Sequence, residues 1–587
     1  AVAWSYDLLP AAERRLFNRL AVFAGGWTLD AAEAVVGDPP GEQDDGHDDG
    51  HDDGQVNGPG QVDPGSGQHR GLGQDRAEGQ RPGQGQRGLG SPPIAPDDVL
   101  DLLAQLVDKS LVVVEELDGG AEVRYRLLET LQEYGRERLA DGDGEEGAAV
   151  RQRHAAHYLA LAETAVPRLT GPTQAGWLNR LETEHDNLRA ALRWSVQHGA
   201  ATLGLRLGVA LWRFWYVRCY FTEGREWIAQ LLALGAPGEA GGVEDPWDAQ
   251  MEGTNRVRAQ ALSAAGFLAW GQGDYSAALT FQETARAELA ALGDGQGVAT
   301  ALLGLGQVAR AQGDDRQAGT LYEESLARYR AVESSLGVAT ALLYLGHVDS
   351  DQGKYETARR HYGESLAIFQ QLGDSFGTAN AMMYLGLQGY HQGSYDIAQA
   401  AYESSLSIWR ELGGRRQIAE LLRLLGDVAY QQGDLRVATT FLEDSLALRR
   451  EIGDRFGIGE CLLSLGDTAF RQGDYAGAGA LFRESLALYR SLGSKRLMAV
   501  GLIKVSGVAA VEGHVARAAR LLATAETVFA ALGAVLWPAD RVSFDDAAAT
   551  ARAGLTPAAW ERAWAEGRAM SLPEAVLYAL SHEDTER

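Results

Sequence analysis

"RRQIAELLRLLGDVAYQQGDLRVATTFLEDSLALRREIG", residues 415–453, holds the pattern that decides the fold. Ile418, Leu421, Leu422, Leu425, Val428 and Ala429 recur at three- and four-residue spacing, which marks one face of a helix. Gly433 and Asp434 interrupt the run: the glycine suits a left-handed helix end, and the aspartate can cap the next helix. Leu435, Ala438, Phe441, Leu442, Leu446 and Leu448 then form that second helix, which Gly453 ends. Gly426 and Ala438 are small where the two helices must cross closely. The same phrase is written seven times at an interval of forty residues between Ala261 and Asp540, without insertion or deletion. Its glycine recurs from Gly273 to Gly513 and its alanine from Ala278 to Ala518. A helical hairpin of this kind has apolar faces that it cannot bury alone, and stacking buries them. The expected fold class is all-α, with seven 40-residue hairpins forming an α-solenoid over residues 255–540.

The pattern resembles the tetratricopeptide repeat. Leu345-Gly346, Gly353-Lys354-Tyr355, Ala358, Tyr362 and Ser365 fall on that repeat's leucine-glycine, mid-loop, alanine, aromatic and small positions. The departure is length, since the usual unit is about 34 residues. The resemblance implies that the first helix of each pair lines a concave groove, with the residues around its glycine pointing inward. Those residues are Gln307, Arg310, His347, Ser350, Asp351, Tyr390, His391, Arg423, Asp427, Tyr430, Gln431, Asp467, Phe470 and Arg471. A protein partner or a small inducer is expected there. Tyr390, Tyr430 and Phe470 form a column forty residues apart, and Arg423 and Arg471 offer fork-shaped donors beside Asp427 and Asp467. The alternative for the three aromatics is packing between adjacent hairpins.

Residues 1–37 and 98–143 read as helices, then strands at 110–115 and 122–127 around a Gly-Gly turn, then a helix. That order is a winged-helix domain with a small β-hairpin. "LFNRLAVFAGGWTLDAAEAV", "LVDKSLV", "YRLLETLQEYGRERL" and "WLNRLETEHDNLRAALRWSV" resemble the winged-helix region of bacterial STAND-type (NB-ARC-like) signalling ATPases, a family of multidomain transcriptional regulators. The resemblance implies a nucleotide-binding domain upstream that takes ATP or ADP. No phosphate loop occurs in this chain, and its start at Ala1 reads as either a piece of a longer polypeptide or a processed product. In that family a Met-His-Asp triplet reaches the nucleotide. Aligned here, it becomes Leu127, Leu128 and Glu129. Leucine cannot hydrogen-bond a phosphate, so core packing of both leucines is the competing expectation.

Between the two winged-helix segments, residues 38–97 are rich in Gly, Gln, Asp and Arg and almost free of apolar side chains, which reads as a disordered insert. "HDDGHDD" offers His47 and His51 as metal ligands, but nothing nearby would hold them in one geometry, so no metal site is expected. Residues 144–254 read as a helical linker with a degenerate repeat. Its Trp212, Phe214, Trp215 and Tyr216 form either a ligand cage or core against neighbouring helices. Residues 541–587 are expected to cap the solenoid's open end.

The formal charge of −27 disfavours nucleic acid as a direct partner, and "PAAERRLF" is the one basic cluster near a helix. Two distant cysteines, with no signal peptide and no membrane-length apolar run, point to a reducing, cytoplasmic setting without a membrane partner. The heavy excess of arginine over lysine, with abundant Ala and Gly, reads as a GC-rich bacterial coding sequence. No nucleophile with a placed base and no zinc spacing occurs, so no catalytic residues and no cofactor are expected in the chain itself. The expected function is the sensor arm of a STAND-type regulator, whose winged helix relays repeat occupancy to the upstream ATPase. The alternative is a passive scaffold for protein assembly.

Overall fold

The computed structural model describes residues 2–38, 93–117, 122–141, 144–234, 251–532, 536 and 538–581. The chain divides into two compact units, Ala1–His157 and Tyr158–Arg587. The division falls inside the helix Gly144–Ala165.

The first unit has the element order expected of a winged helix. Helices Val2–Asp7, Ala11–Leu20, Leu29–Val36 and Val99–Asp108 precede strands β1 (Val113–Leu117) and β2 (Glu122–Arg126), and helix Glu129–Asp141 comes after them. β1 and β2 pair antiparallel with Glu115 opposite Arg124, and Trp27 adds a bridge to Tyr125. Leu16, Phe17, Leu20 and Phe23 form an apolar stripe that is fully buried. β1 starts three residues later than expected. Ser110 takes a left-handed φ of 58°, and the amides of Leu111 and Val112 both turn back to the Leu106 carbonyl. The β-branched run is therefore spent first on ending a helix. The arginines of "PAAERRLF" are occupied internally: Arg14 donates to the Leu9 carbonyl and Arg15 pairs with Glu146 at 2.6 Å. Nearby, Arg19 reaches Asp38 at 2.8 Å and Glu146 at 2.7 Å.

The expected insert begins and ends differently from its predicted bounds of 38 and 97. The Asp38 amide donates to the Ile94 carbonyl at 2.7 Å, the Asp38 carboxylate accepts from the Ile94 amide at 2.8 Å, and Pro96–Asp98 forms a 3-10 turn. Both ends are thus stitched together by hydrogen bonds. Residues 39–92, with His47 and His51, lie outside the described residues, so the disorder expected there is not addressed.

In the second unit, helices Gln174–Thr183, His185–Gln197, Ala201–Arg218 and Phe221–Leu234 precede seven hairpins. Repeat 1 comprises Met251–Gly271 and Tyr275–Ala291, and repeat 2 Gly295–Ala311 and Asp315–Ala331. Repeat 3 comprises Ser335–Asp351 and Tyr355–Leu372, and repeat 4 Ser375–His391 and Tyr395–Leu412. Repeats 5, 6 and 7 are Arg415–Gln432 with Leu435–Ile452, Arg455–Gln472 with Tyr475–Leu492, and Lys495–Val511 with Val515–Leu532. Gly433 ends its helix at φ 88°, and Asp434 caps the next by accepting from the Val437 amide. At the crossing, a methyl group on Gly426 would meet Leu442 at 2.7 Å, and one on Gly346 would meet the Tyr362 ring at 2.5 Å. The second-helix serine acts as a bolt: Ser365 donates to the Ala339 carbonyl at 2.7 Å, and Ser325, Ser405, Ser445 and Ser485 repeat the bond. Helices Pro538–Ala553, Pro557–Ala569 and Leu572–Leu580 cover repeat 7, placing Phe544, Ala547, Ala575, Val576 and Ala579 in its core, as an end cap must. The cap starts slightly before the expected residue 541.

Candidate functional site: the inner face of the repeats

The first helices of repeats 2 to 6 carry polar residues after their crossing glycines, and stacking places these stretches side by side. The structure divides the expected site residues into two groups.

In repeats 5 to 7 the inner face is ionic. Arg423 donates to Glu420 at 2.6 Å and to Asp427 at 2.6 Å. Arg449, only 2% exposed, comes from the second helix of repeat 5 to pair with Glu420 and, at 2.9 Å, with Asp454. Burial alone would raise the Glu420 pKa, but Arg423 and Arg449 overcome it and hold the carboxyl down to about 2. Glu460 has Arg449 only at 3.7 Å, and burial, reinforced by Glu420, pushes its carboxyl up to about 7. Burial also raises Asp427 despite Arg423. Asp467 is paired at 2.9 Å with buried Lys504, not with Arg471 as expected. Arg471 instead donates to the Tyr430 carbonyl at 2.6 Å and lies 5.0 Å over the Tyr430 ring. Lys504 arrives from the next inner helix and reaches Asp467 more directly than an arginine four residues away on the same helix.

In repeats 2 to 4 the inner face is aromatic. His347 is 4% exposed, with its ring 3.7 Å from that of Tyr384 and 5.5 Å from that of Tyr344. Tyr322 stacks on Tyr344 and Tyr362 on Tyr384, at 5.3 and 5.6 Å. Both His347 ring nitrogens, Gln307 Oε1, Gln388 Oε1 and the hydroxyls of Tyr322, Tyr362 and Tyr402 have no hydrogen-bond partner among the described residues. Burial, with Arg310 adding to it, holds the His347 pKa well below the usual range, so the ring is neutral. Arg310 pairs with Asp351 at 3.2 Å, and Ser350 accepts from Gln388 at 2.6 Å. Gln307 and His347 are therefore buried between neighbouring repeats, whereas Asp351, His391 and Arg471 are exposed.

The column of Tyr390, Tyr430 and Phe470 does not form a free ladder. Tyr390 packs edge-on against Tyr395 at 5.7 Å and accepts from Gln431, and Phe470 packs against Tyr475 at 5.1 Å. Each closes its own hairpin. Of the two readings of the Trp212–Tyr216 aromatics, the structure shows core packing: Phe214 and Trp215 are fully buried, and Trp212 stacks on Phe267. Tyr344, Tyr384, Glu420, Arg449, Glu460 and Lys504 were absent from the expected site. Glu420 and Glu460 stand forty residues apart, as do Tyr344 and Tyr384, so the same period signals both pairs.

The nucleotide-sensing positions do not fit a nucleotide. Leu127 is 7% exposed and packs in the core, while Leu128 is 44% exposed and corrects the expectation that both are core. Glu129 is an exposed carboxylate, which repels a phosphate. Among the described residues there is no cluster of three metal-ligating side chains, and no helix is long and apolar enough to cross a membrane.

Models of the tetratricopeptide repeat match residues 257–331, 378–451 and 417–491, and another such model matches residues 338–372. Among curated proteins, the chain is similar to proteins of Mycobacterium bovis and Mycobacterium tuberculosis named as HTH-type transcriptional regulators. The identity is 32% over 263 residues, covering 45% of this chain and 22% of each relative. The chain thus spans about a fifth of the length of these relatives. Among solved structures, it is similar to a signal transduction ATPase with numerous domains that has a tetratricopeptide repeat sensor, from Pyrococcus horikoshii. There the identity is 12% and the TM-score 0.45, covering 86% of this chain and 61% of that one. It is also similar to a Rap protein complexed with competence and sporulation factor, at 13% identity and TM-score 0.39, covering 58% of this chain and 92% of that one.

Proposed function

We propose that this chain is the sensor arm of a STAND-type transcriptional regulator acting in the cytoplasm, in which the inner face of the repeats takes up a protein partner or small inducer. The winged helix then relays that occupancy to an ATPase domain upstream by a shift between two arrangements. One observation supports the binding role above the others: repeats 2 to 4 bury His347, Gln307 and Gln388 with polar atoms that no described protein group satisfies. Buried polar atoms nearly always have partners, so several unsatisfied ones in one place mark a seam between repeats that a ligand could complete once the repeats part there. ATP or ADP would belong to the upstream domain. The side chains of Leu127, Leu128 and Glu129 offer it no hydrogen-bond donor, so the relay runs through packing of the winged helix rather than through that triplet.

The test has two parts. The reading frame ahead of Ala1 is expected to encode a nucleotide-binding domain. In the full polypeptide, His347→Phe is expected to change ATP hydrolysis about fivefold or more, the size of an ordinary coupling between sites. A frame with no such domain, or hydrolysis indifferent to His347, leaves the passive scaffold as the function.

A further inference from the structure

The helices ahead of repeat 1 touch the array again much further along, at the starts of repeats 4 and 5. Asp374 caps the first helix of repeat 4 through one carboxylate oxygen, which accepts from the Gly377 amide at 2.7 Å. Its other oxygen accepts from Arg213 at 3.1 Å, and the residue has no exposed surface. The Arg213 guanidinium lies 4.8 Å over the Phe376 ring, and the buried Gln174 accepts from the Phe376 amide at 2.9 Å. One repeat later, Arg218 lies so close to Gly413 that a methyl group there would meet it at 1.9 Å. Arg416 of repeat 5 donates to the Gly271 carbonyl at the end of the first helix of repeat 1, at 3.0 Å.

These contacts are particular to their place in the array. Phe456 stands in repeat 6 where Phe376 stands in repeat 4, and it is 41% exposed. A segment that served only to cap repeat 1 would not carry two arginines and a buried glutamine to repeats 4 and 5. We propose that residues 172–219 are a clasp that closes repeats 1 to 5 into one turn. A partner seated on the inner face of those repeats enters by releasing Arg213 from Asp374 and Arg416 from Gly271. With Arg416 at hydrogen-bond distance from Gly271, repeats 1 and 5 touch at that level, so a partner does not pass between them there while the bond holds. The bonds are charge-assisted but few, and they can open locally while every hairpin stays folded. The clasp does not depend on the sensor reading, because a scaffold could be held shut in the same way.

Cys219 reports on the clasp without an added probe. It ends the helix Ala201–Arg218 at a left-handed φ of 64°, and its thiol faces the backbone amide of Arg416. The other cysteine, Cys461, is fully buried and bonded to Ser445. The experiment is labelling of the whole chain with N-ethylmaleimide, read by peptide mass spectrometry. Arg213→Ala with Arg218→Ala is expected to label Cys219 about tenfold faster or more than wild type, with Cys461 protected in both. Equal Cys219 rates with Cys461 protected overturn the proposal. If the variant exposes Cys461, it has unfolded, and amide exchange on the wild-type chain decides instead. A Phe376 amide protected about tenfold or more over its counterpart Phe456 sustains the clasp, and equal exchange overturns it.

Discussion

Repeats 2 to 4 and repeats 5 to 7 share one backbone plan and one glycine register, yet their inner faces solve the burial of polar groups in opposite ways. The position that faces the second helix shows the contrast. Repeat 2 has Thr300 bonded to the Tyr329 hydroxyl at 2.8 Å, whereas repeat 5 has Glu420 paired with Arg449. The ionic half pairs its buried charges and leaves open, among its described side chains, the neutral Gln417 Oε1 and the Tyr489 hydroxyl. The aromatic half stacks its rings and leaves His347, Gln307 and Gln388 with open polar atoms. The two halves thus bury polar groups differently along one array: one pairs its charges, and the other stacks rings around polar atoms that have no partner among the described residues.

The largest expected effect strikes the ionic half. Arg449 stands where Tyr329, Phe369, Trp409 and Tyr489 stand in other repeats. Arg449→Tyr gives repeat 5 the usual residue but leaves Glu420 and Asp454 with too few cations. It should cost about 3–5 kcal/mol, as breaking a buried pair does. Adding Glu420→Thr restores the Thr–Tyr pair of repeat 2 and should recover most of the loss, as measured by denaturant unfolding. If the double variant is as unstable as the single, the two halves do not differ by exchangeable pairs.

The next effect compares the helix crossings. Gly346 faces the Tyr362 ring, whereas Gly426 faces the more adaptable Leu442. Overpacking should cost Gly346→Val about 3 kcal/mol and Gly426→Val about 1 kcal/mol less. Amide exchange should show the Gly346→Val opening centred on repeat 3 and spreading to repeats 2 and 4, which pack directly against it. Equal costs for the two would remove the distinction between a rigid and a yielding partner.

These positions also mark what the sequence made legible. The period, the crossing glycines and the caps could be read directly because each is a local requirement of a helical hairpin. Arg423 beside Asp427 could be read as a neighbour pair on one helix. The burial of His347 could not, since it occupies the same register as Asp427 and Asp467. The residue that covers each lies 37 positions later on the next helix: Tyr384 over His347, Ser464 beside Asp427 and Lys504 on Asp467. Side-chain size there decides whether the site is closed, hydrogen-bonded or paired. The Arg213–Asp374 contact was less legible still, because its partners are 161 residues apart and meet only through the winding of the array. In the first unit, the run from Ser110 to Val112 looked like strand but is used to terminate a helix.

A smaller effect comes from Glu460, the carboxylate of the ionic half that borrows its cations. Its own second-helix partner is Tyr489, so it shares Arg423 and Arg449 with Glu420. Folding raises its pKa from 4.5 to about 7. The folded chain therefore holds a proton that the unfolded chain has released, and stability falls as pH rises from about 4.5 to about 7. Glu420 works the other way: its pKa is lowered to about 2, so its contribution is present above 4.5 and is lost as pH falls toward 2. Glu460→Gln should raise stability at pH 8 by about 1 kcal/mol and flatten the decline between the two pKa values. A variant that keeps the wild-type slope assigns the titration to another group.

The smallest expected change in stability tests the comparison most directly. His347→Phe keeps a flat ring between Tyr344 and Tyr384 and removes two nitrogens that have no partner among the described residues. Deleting a buried polar atom that is already unsatisfied relieves its desolvation, and no hydrogen bond is lost with it. Denaturant unfolding should show a change within about 0.5 kcal/mol of wild type, or a gain. The neutral ring at physiological pH means that no charge is removed either. A loss above about 1 kcal/mol would mean that the nitrogens are bonded in the folded chain, for such a loss is the worth of a typical internal hydrogen bond. The aromatic half would then be as self-satisfied as the ionic one, and the reason for locating a ligand in repeats 2 to 4 would disappear. An unchanged midpoint, together with altered ATP hydrolysis in the full polypeptide, would place His347 among residues kept for binding rather than for folding.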